Sequence, residues 1–282
     1  MPRAWITGAA GLIGNHLIQN ASEFAPGWRS RALTRADFDL TDFAAVRRAF
    51  RDDPPQLVIH CAALSQSPAC QKNPALAKKL NVDVTARLAE LAADIPFVFF
   101  STDLVFDGRK GNYIESDQVN PLSLYAETKV AAEAIVLANP RHTVIRTSLN
   151  GGTSPSGDRG FNEQLRRSFA SGQTLKLFSD EYRSPISATE TARAVWELAA
   201  QNRTGLYHIA GSERLSRWQI GQLIAARWPE LHPRLEASSL ADYQGAPRSP
   251  DTSLDCEKAQ KFLPTPLPGL SQWLAAHPAE IF

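Results

Sequence analysis

Thr7-Gly8-Ala9-Ala10-Gly11-Leu12-Ile13-Gly14 is the stretch that decides the fold. It follows Arg3-Ala4-Trp5-Ile6, which reads as a short buried strand, and it opens into Leu12, Ile13, Leu17 and Ile18, whose spacing reads as a helix. Strand, glycine turn and helix, in that order, form the context that a dinucleotide fingerprint needs. Gly8 allows the turn, Gly11 lets backbone approach phosphates, and Gly14 lets helix and strand pack closely. A pyrophosphate would rest on unpaired N–H groups at the helix N-terminus, where the macrodipole favours an anion. Ala10, Leu12 and Ile13 fall in the same cradle. Glycine triplets also serve ordinary turns, so the flanking strand and helix carry the weight.

Outward from this turn, short apolar runs alternate with helical periodicity, the pattern of a parallel doubly wound sheet. Strands are predicted at Ala4–Thr7, Ser30–Thr34, Leu57–His60, Phe97–Ser101, Thr143–Arg146 and Leu206–Ile209. Helices are predicted at Leu12–Asn20, Asp42–Arg51, Ala75–Ala93, Leu124–Ala138, Ala188–Ala200 and Trp218–Arg227. Composition changes after Thr147: Gly151 to Gly157 is loop-like, and Pro229 to Pro268 is rich in Pro and Ser. The expected fold is α/β, a Rossmann sheet with a smaller discontinuous C-terminal lobe. Residues 1–147 plus 185–211 form the nucleotide-binding domain, and 148–184 plus 212–282 the substrate lobe.

About 20 residues past the fingerprint, where an acid would hold an NAD ribose, the chain reads Leu33-Thr34-Arg35. Arg35 suits a 2′-phosphate, so NADP(H) is expected over NAD(H), which stays an alternative. Asp37 lies close by, while Asp39 and Leu40 are placed near the adenine. A second motif, Tyr125-Ala126-Glu127-Thr128-Lys129, sits on a predicted helix. Positions i and i+4 share a face, which would set the Lys129 ammonium near the Tyr125 hydroxyl and lower its pKa towards that of a general acid. A surface lysine beside a half-buried tyrosine is the bland alternative.

The stretch Phe99 to Lys129 changes that balance. Ser101-Thr102-Asp103, Val105-Phe106, Gly108, Tyr113, Glu115, Asn120-Pro121, Tyr125 and Lys129 come in the order seen in extended short-chain dehydrogenase/reductases. The chain resembles most closely the dTDP-4-dehydrorhamnose reductase family. His60-Cys61-Ala62-Ala63, Asn81-Val82, Arg146-Thr147-Ser148, Asp180 with Ser184-Pro185, and Arg248 to Asp255 extend the resemblance over nearly the whole chain. It implies Thr102, Tyr125, Lys129 and Asn81 as catalytic residues. Cys61, Ala62, Ala63, Ser101, Tyr125 and Lys129 join the cofactor set. Ser65, Thr102, Asp103, Leu104, Tyr125, Leu149, Arg183 and Arg248 are implied to face substrate. Arg159, Arg166 and Arg167 are further arginines that could clamp a diphosphate. Leu104 stands where the family usually has Tyr, Leu149 where it has Trp, and Phe161-Asn162 inverts an Asn-Phe pair.

With 30 basic and 29 acidic residues, the whole-chain field favours neither nucleic acid nor membrane. Cys61, Cys70 and Cys256 lack metal-ligand spacing, so no metal site is expected and the thiols suit a reducing compartment. No apolar run reaches about 18 residues and the first residues read as a strand, so a cytoplasmic enzyme is expected. Its partner would be a nucleotide-linked sugar, with a homodimer left open. The activity implied by the resemblance is NAD(P)H-dependent reduction of a nucleotide-linked 4-keto-6-deoxy sugar. An epimerase or dehydratase with retained NAD, and a noncatalytic dinucleotide-binding regulatory subunit, are the alternatives.

Overall fold

The computed structural model describes residues 1–280 and 282. Strands β1 (Arg3–Thr7), β2 (Arg29–Leu33), β3 (Leu57–His60), β4 (Phe97–Thr102) and β5 (His142–Thr147) join Gly205–Ile209 in one sheet. The order is Gly205–Ile209, β5, β4, β3, β1, β2, and every neighbouring pair is parallel. All six lie within one residue of their predicted bounds. They were legible because helices cover both faces of the sheet, so β3, β4 and β5 are buried at every position.

From β1 the chain goes outward to β2, then returns to the opposite side for β3. The helices that follow β1 and β3 therefore pack on opposite faces of the sheet, and the switch point between their connections is the place where such sheets bind ligands. One face is filled by Leu17, Trp196 and Ile209 with their neighbours, the other by Trp5, Leu88, Phe97 and Val136. Trp196 Nε1 donates to the Leu17 carbonyl at 3.1 Å, fixing the helix Ala188–Ala200 against the helix Leu12–Gln19.

The helix predicted over Ala75–Ala93 is interrupted. An α-turn Pro74–Lys78 passes into a π-turn Lys79–Asp83 and then an α-helix Val84–Leu91. A wide turn of this kind leaves the apolar period of its flanks nearly intact, so the sequence pattern hides it.

Leu165, Phe169, Leu177, Ile220, Ile224, Trp273 and Phe282 make a separate core for the C-terminal part. It holds the helix Phe161–Ala170, unforeseen in the sequence reading, and the parallel pair Thr174–Phe178 with Arg234–Ser238. Ala259, Leu263 and Leu267, expected in the lobe, pack instead with the sheet core. Their four-residue spacing gives the segment an apolar edge that docks beside Tyr207 and Ile209.

Candidate active site

The glycine turn is built for close approach. Gly8 has φ +68°, and a Cβ there would stand 2.7 Å from the Ala62 nitrogen and 2.9 Å from the Cys61 carbonyl carbon. A Cβ on Gly14 would stand 2.4 Å from the Gly8 oxygen. The loop after β1 is thus pressed against the end of β3, where Cys61, Ala62 and Ala63 follow, and Ala62 N–H reaches Thr7 Oγ1 at 3.3 Å. Gly11 caps the helix Leu12–Gln19 with no side-chain bond and no acid in the first turn, and the first bond to that cap is Asn15 N–H to the Gly11 carbonyl. The amides of Leu12, Ile13 and Gly14 are left for an anion. Ala10 is exposed at the turn, so the geometry fits a dinucleotide pyrophosphate.

At the end of β2, Asp37 folds back: its carboxylate accepts from Thr34 N–H at 2.8 Å and Thr34 Oγ1 at 2.9 Å, bonds that hold it below the usual carboxylate range. Asp39 accepts from Thr41 N–H at 2.8 Å and is likewise lowered, chiefly by that bond. Arg35 stays exposed with no ion pair among the described residues. Leu40 packs on the sheet core.

Tyr125 and Lys129 lie on the helix Leu124–Leu137, started by Ser123 Oγ, which accepts from Ala126 N–H. Its buried positions 125, 126, 128, 129, 132, 133 and 136 form one broad face. Arg146 on β5 clamps that face through a fork to Glu133, Nη2 to Oε2 at 2.7 Å and Nε to Oε1 at 3.0 Å. Both side chains are 5% exposed, so the pair holds the helix in place on the sheet.

The expected pairing of Lys129 with Tyr125 is corrected by the structure. The Lys129 ammonium lies 3.9 Å from the centre of the Phe99 ring. Burial pulls its pKa down to about 7, opposed by Glu133 and Cys61. Burial also pushes the Tyr125 hydroxyl well above the tyrosine range, reinforced by Asp103 and Cys70 and opposed by the Thr102 hydroxyl. Lys129 is not among the charges that act on Tyr125 here. Sharing a helix face fixed the direction of both side chains but not where a flexible four-carbon stem ends.

Thr102 ends β4 beside Thr147 of β5. Its hydroxyl donates to Asp103 Oδ1 at 3.1 Å and accepts from Leu104 N–H at 3.2 Å. Asp103 Oδ2 accepts from Ser148 Oγ at 2.9 Å and Thr252 Oγ1 at 2.8 Å, and lies 3.6 Å from Arg183 Nε. Ser101 Oγ is buried with no partner, an orphan polar atom at the strand end where cofactor is expected. Leu104 packs with Cys70, Ala77 and Tyr125. Leu149 packs against the lobe core, and Ser65 is exposed after β3.

Asn81, in the π-turn, has no bond to Lys129. Its Oδ1 accepts from Leu64 N–H at 2.8 Å while Nδ2 donates to Leu64 O at 3.1 Å and Thr128 Oγ1 at 2.9 Å. It ties the loop after β3 to the tyrosine helix and touches no reacting position. His60 is a packing residue, bonded to Thr7 and Thr85 and held neutral by burial, which pulls its pKa down to about 3.

The arginine expectations change most. Arg183 is 4% exposed and bonds Glu181 Oε1 at 2.9 Å, Tyr182 O at 2.6 Å and Ser249 O at 3.1 Å. Arg248 forks onto Glu181 at 2.6 and 3.0 Å. Both guanidinium groups are drawn onto the buried Glu181, Arg183 from within the core and Arg248 from a side chain that is 35% exposed. Ser148, Thr252 and Glu181 were missed as parts of this network. Ser148 and Thr252 lie inside segments that carry the resemblance, so their hydroxyls were the available signal.

The RmlD substrate binding domain family matches residues 3–279. A probable low-salt glycan biosynthesis reductase of Haloferax volcanii is 30% identical, covering 97% of this chain and 96% of its own. A dTDP-4-dehydrorhamnose reductase of Sinorhizobium fredii is 29% identical over 94% and 93%. Methionine adenosyltransferase 2 subunit beta of Xenopus laevis is also 29% identical, over 92% of this chain and 82% of its own. The crystal structure of a Bacillus anthracis dTDP-4-dehydrorhamnose reductase in complex with NADP superimposes with a TM-score of 0.88, covering 98% of each chain at 21% identity.

Proposed function

Because the chain belongs to the RmlD substrate binding domain family, we propose that it is an NAD(P)H-dependent reductase of a nucleotide-linked 4-keto-6-deoxy sugar. The observation that carries this reading is that Thr102, at the carboxyl end of β4, acts on the Tyr125 hydroxyl, with the unpartnered Ser101 hydroxyl next to it and the glycine turn at the same end of the sheet, after β1.

When bound, the reduced dinucleotide supplies a hydride to the C4 carbonyl carbon. Gly8, Ala10, Gly11, Leu12, Ile13 and Gly14 hold its pyrophosphate, with Cys61, Ala62 and Ala63 beside them at the end of β3. Thr34, Arg35, Asp39 and Leu40 line the adenosine end, and Ser101 and Lys129 the nicotinamide end. Arg35 favours NADPH, since Asp37 turns its carboxylate onto Thr34 and away from a ribose 2′-hydroxyl. Tyr125 gives its proton to the carbonyl oxygen, yielding an alcohol, and regains one from water. Thr102 turns its hydrogen from Asp103 to the same oxygen and polarises it. Asn81 acts by positioning the helix that carries Tyr125. The substrate lies between the sheet edge and segments 148–184 and 212–282.

The similarity to a methionine adenosyltransferase subunit favours a second reading, a regulatory chain that binds dinucleotide without turnover. The presence of Thr102, Tyr125 and Lys129 together argues for the enzyme. A screen of nucleotide-linked 4-keto sugars with NADPH and NADH separates the two. Leu104 and Leu149 in place of aromatics leave a wider, more apolar pocket, so dTDP-4-dehydrorhamnose is expected to be reduced poorly and a related 4-keto sugar preferred. Tight dinucleotide binding with no turnover of any such sugar would favour the regulatory chain.

A further inference from the structure

Glu181 is 1% exposed and is shared by Arg183 and Arg248. A third arginine joins this cluster. The Arg217 N–H donates to the Glu181 carbonyl at 2.8 Å, which tethers the start of the helix Arg217–Ala225 to the same segment. The Arg217 guanidinium, however, makes no hydrogen bond or ion pair among the described residues. It lies half-buried with its carbon 3.8 Å from the centre of the Phe161 ring. The other arginines weighed for a diphosphate are engaged elsewhere: Arg159 and Arg167 lie near Asp158 at 3.3 and 3.9 Å, and Arg166 stands over Trp228.

A half-buried cation without an anion is costly unless something supplies one. Burial, with Arg183 and Arg248, pulls the Arg217 pKa down to about 10, while Glu181 and Asp103 act in the opposite direction. Three guanidinium groups thus face two carboxylates, which leaves one positive charge at the edge of the network that holds Thr102.

We propose that Arg217, backed by Phe161, is the receptor for the diphosphate of the nucleotide-linked substrate. The proposal rests on the reductase reading and deepens it. A guanidinium offers forked donors matched to phosphate oxygens, and the aromatic face beneath it keeps that fork oriented before the ligand arrives. The exchange of Asn and Phe at positions 161 and 162 acquires a role here. Asn162 is fully buried and clamps Gly152 through both amide atoms, at 3.2 and 2.9 Å, while Phe161 is turned towards Arg217. Arg217 is tethered to the Glu181 segment, Glu181 binds Arg183, and Arg183 Nε lies 3.6 Å from Asp103 beside Thr102, so a diphosphate held by Arg217 sits on the network that reaches Thr102.

The test is calorimetric titration of the full chain, with NADPH present, using dTDP, UDP and thymidine as probes. Arg217→Gln is expected to weaken nucleoside diphosphate binding roughly ten- to a hundredfold, the worth of a charge-assisted contact, with NADPH and thymidine affinities unchanged. Arg217→Lys should recover part of the loss, and Phe161→Leu, which keeps the charge but removes its support, should lose several-fold. Unchanged NADPH affinity certifies that each variant is folded. A dTDP affinity in Arg217→Gln within twofold of the parent overturns the assignment and leaves the reductase reading standing. If the parent chain binds NADPH but neither dTDP nor UDP, the reading itself fails and the proposal with it.

Discussion

The Thr102 hydroxyl donates to the Asp103 carboxylate across 3.1 Å, while the other Asp103 oxygen accepts from Ser148 and Thr252. Neighbouring residues on one strand end are thereby locked in a network that reaches into the C-terminal part. The carboxylate sets the rotor of the Thr102 hydroxyl and disfavours phenolate at Tyr125.

Asp103→Asn removes that charge. The Tyr125 hydroxyl should then ionise at lower pH, and because reduction uses the protonated form, the alkaline limb of kcat/KM should move to lower pH. A profile with the same alkaline limb as the parent would show that Asp103 does not act on Tyr125.

Lys129 should be visible in the pH dependence of stability. Its folded pKa of about 7 lies below the ordinary lysine value, so the unfolded chain holds more protons between that pH and about 10.4. The ligand-free protein therefore gains stability from this group as pH rises through that window, and the cost is complete below it. Lys129→Met should raise Tm most near pH 6 and least near pH 10. A Tm difference independent of pH would contradict burial of the ammonium.

Arg35→Ala should raise the KM for NADPH far more than that for NADH. Asp37 turns its carboxylate back onto Thr34, so it is not placed to accept from a ribose 2′-hydroxyl, and Arg35 is the exposed cation left on that turn. Equal changes for both cofactors would remove Arg35 from the adenosine end.

The sheet, the glycine cradle and the tyrosine helix were legible because each depends on local pattern: a run such as Phe97-Val98-Phe99-Phe100, a glycine with φ +68°, a face repeating every three to four residues. The helix Phe161–Ala170 was hidden by its polar composition, although Phe161, Leu165 and Phe169 carry the period. What sequence could not supply was the partner of each charge. Arg183 was expected to face substrate and Arg217 was not singled out, yet the folded position of Glu181 commits the first and leaves the second without an anion among the described residues. The same holds for Lys129, whose i+4 relation to Tyr125 is real while its ammonium settles over Phe99.

The central claim, proton donation by Tyr125, is tested most directly by comparing the parent with Tyr125→Phe for NADPH affinity and for turnover of the best substrate from the screen. The account predicts nearly equal NADPH affinity and a kcat lower by two or more orders of magnitude, roughly the worth of one positioned acid. Turnover in the phenylalanine variant close to that of the parent would contradict it.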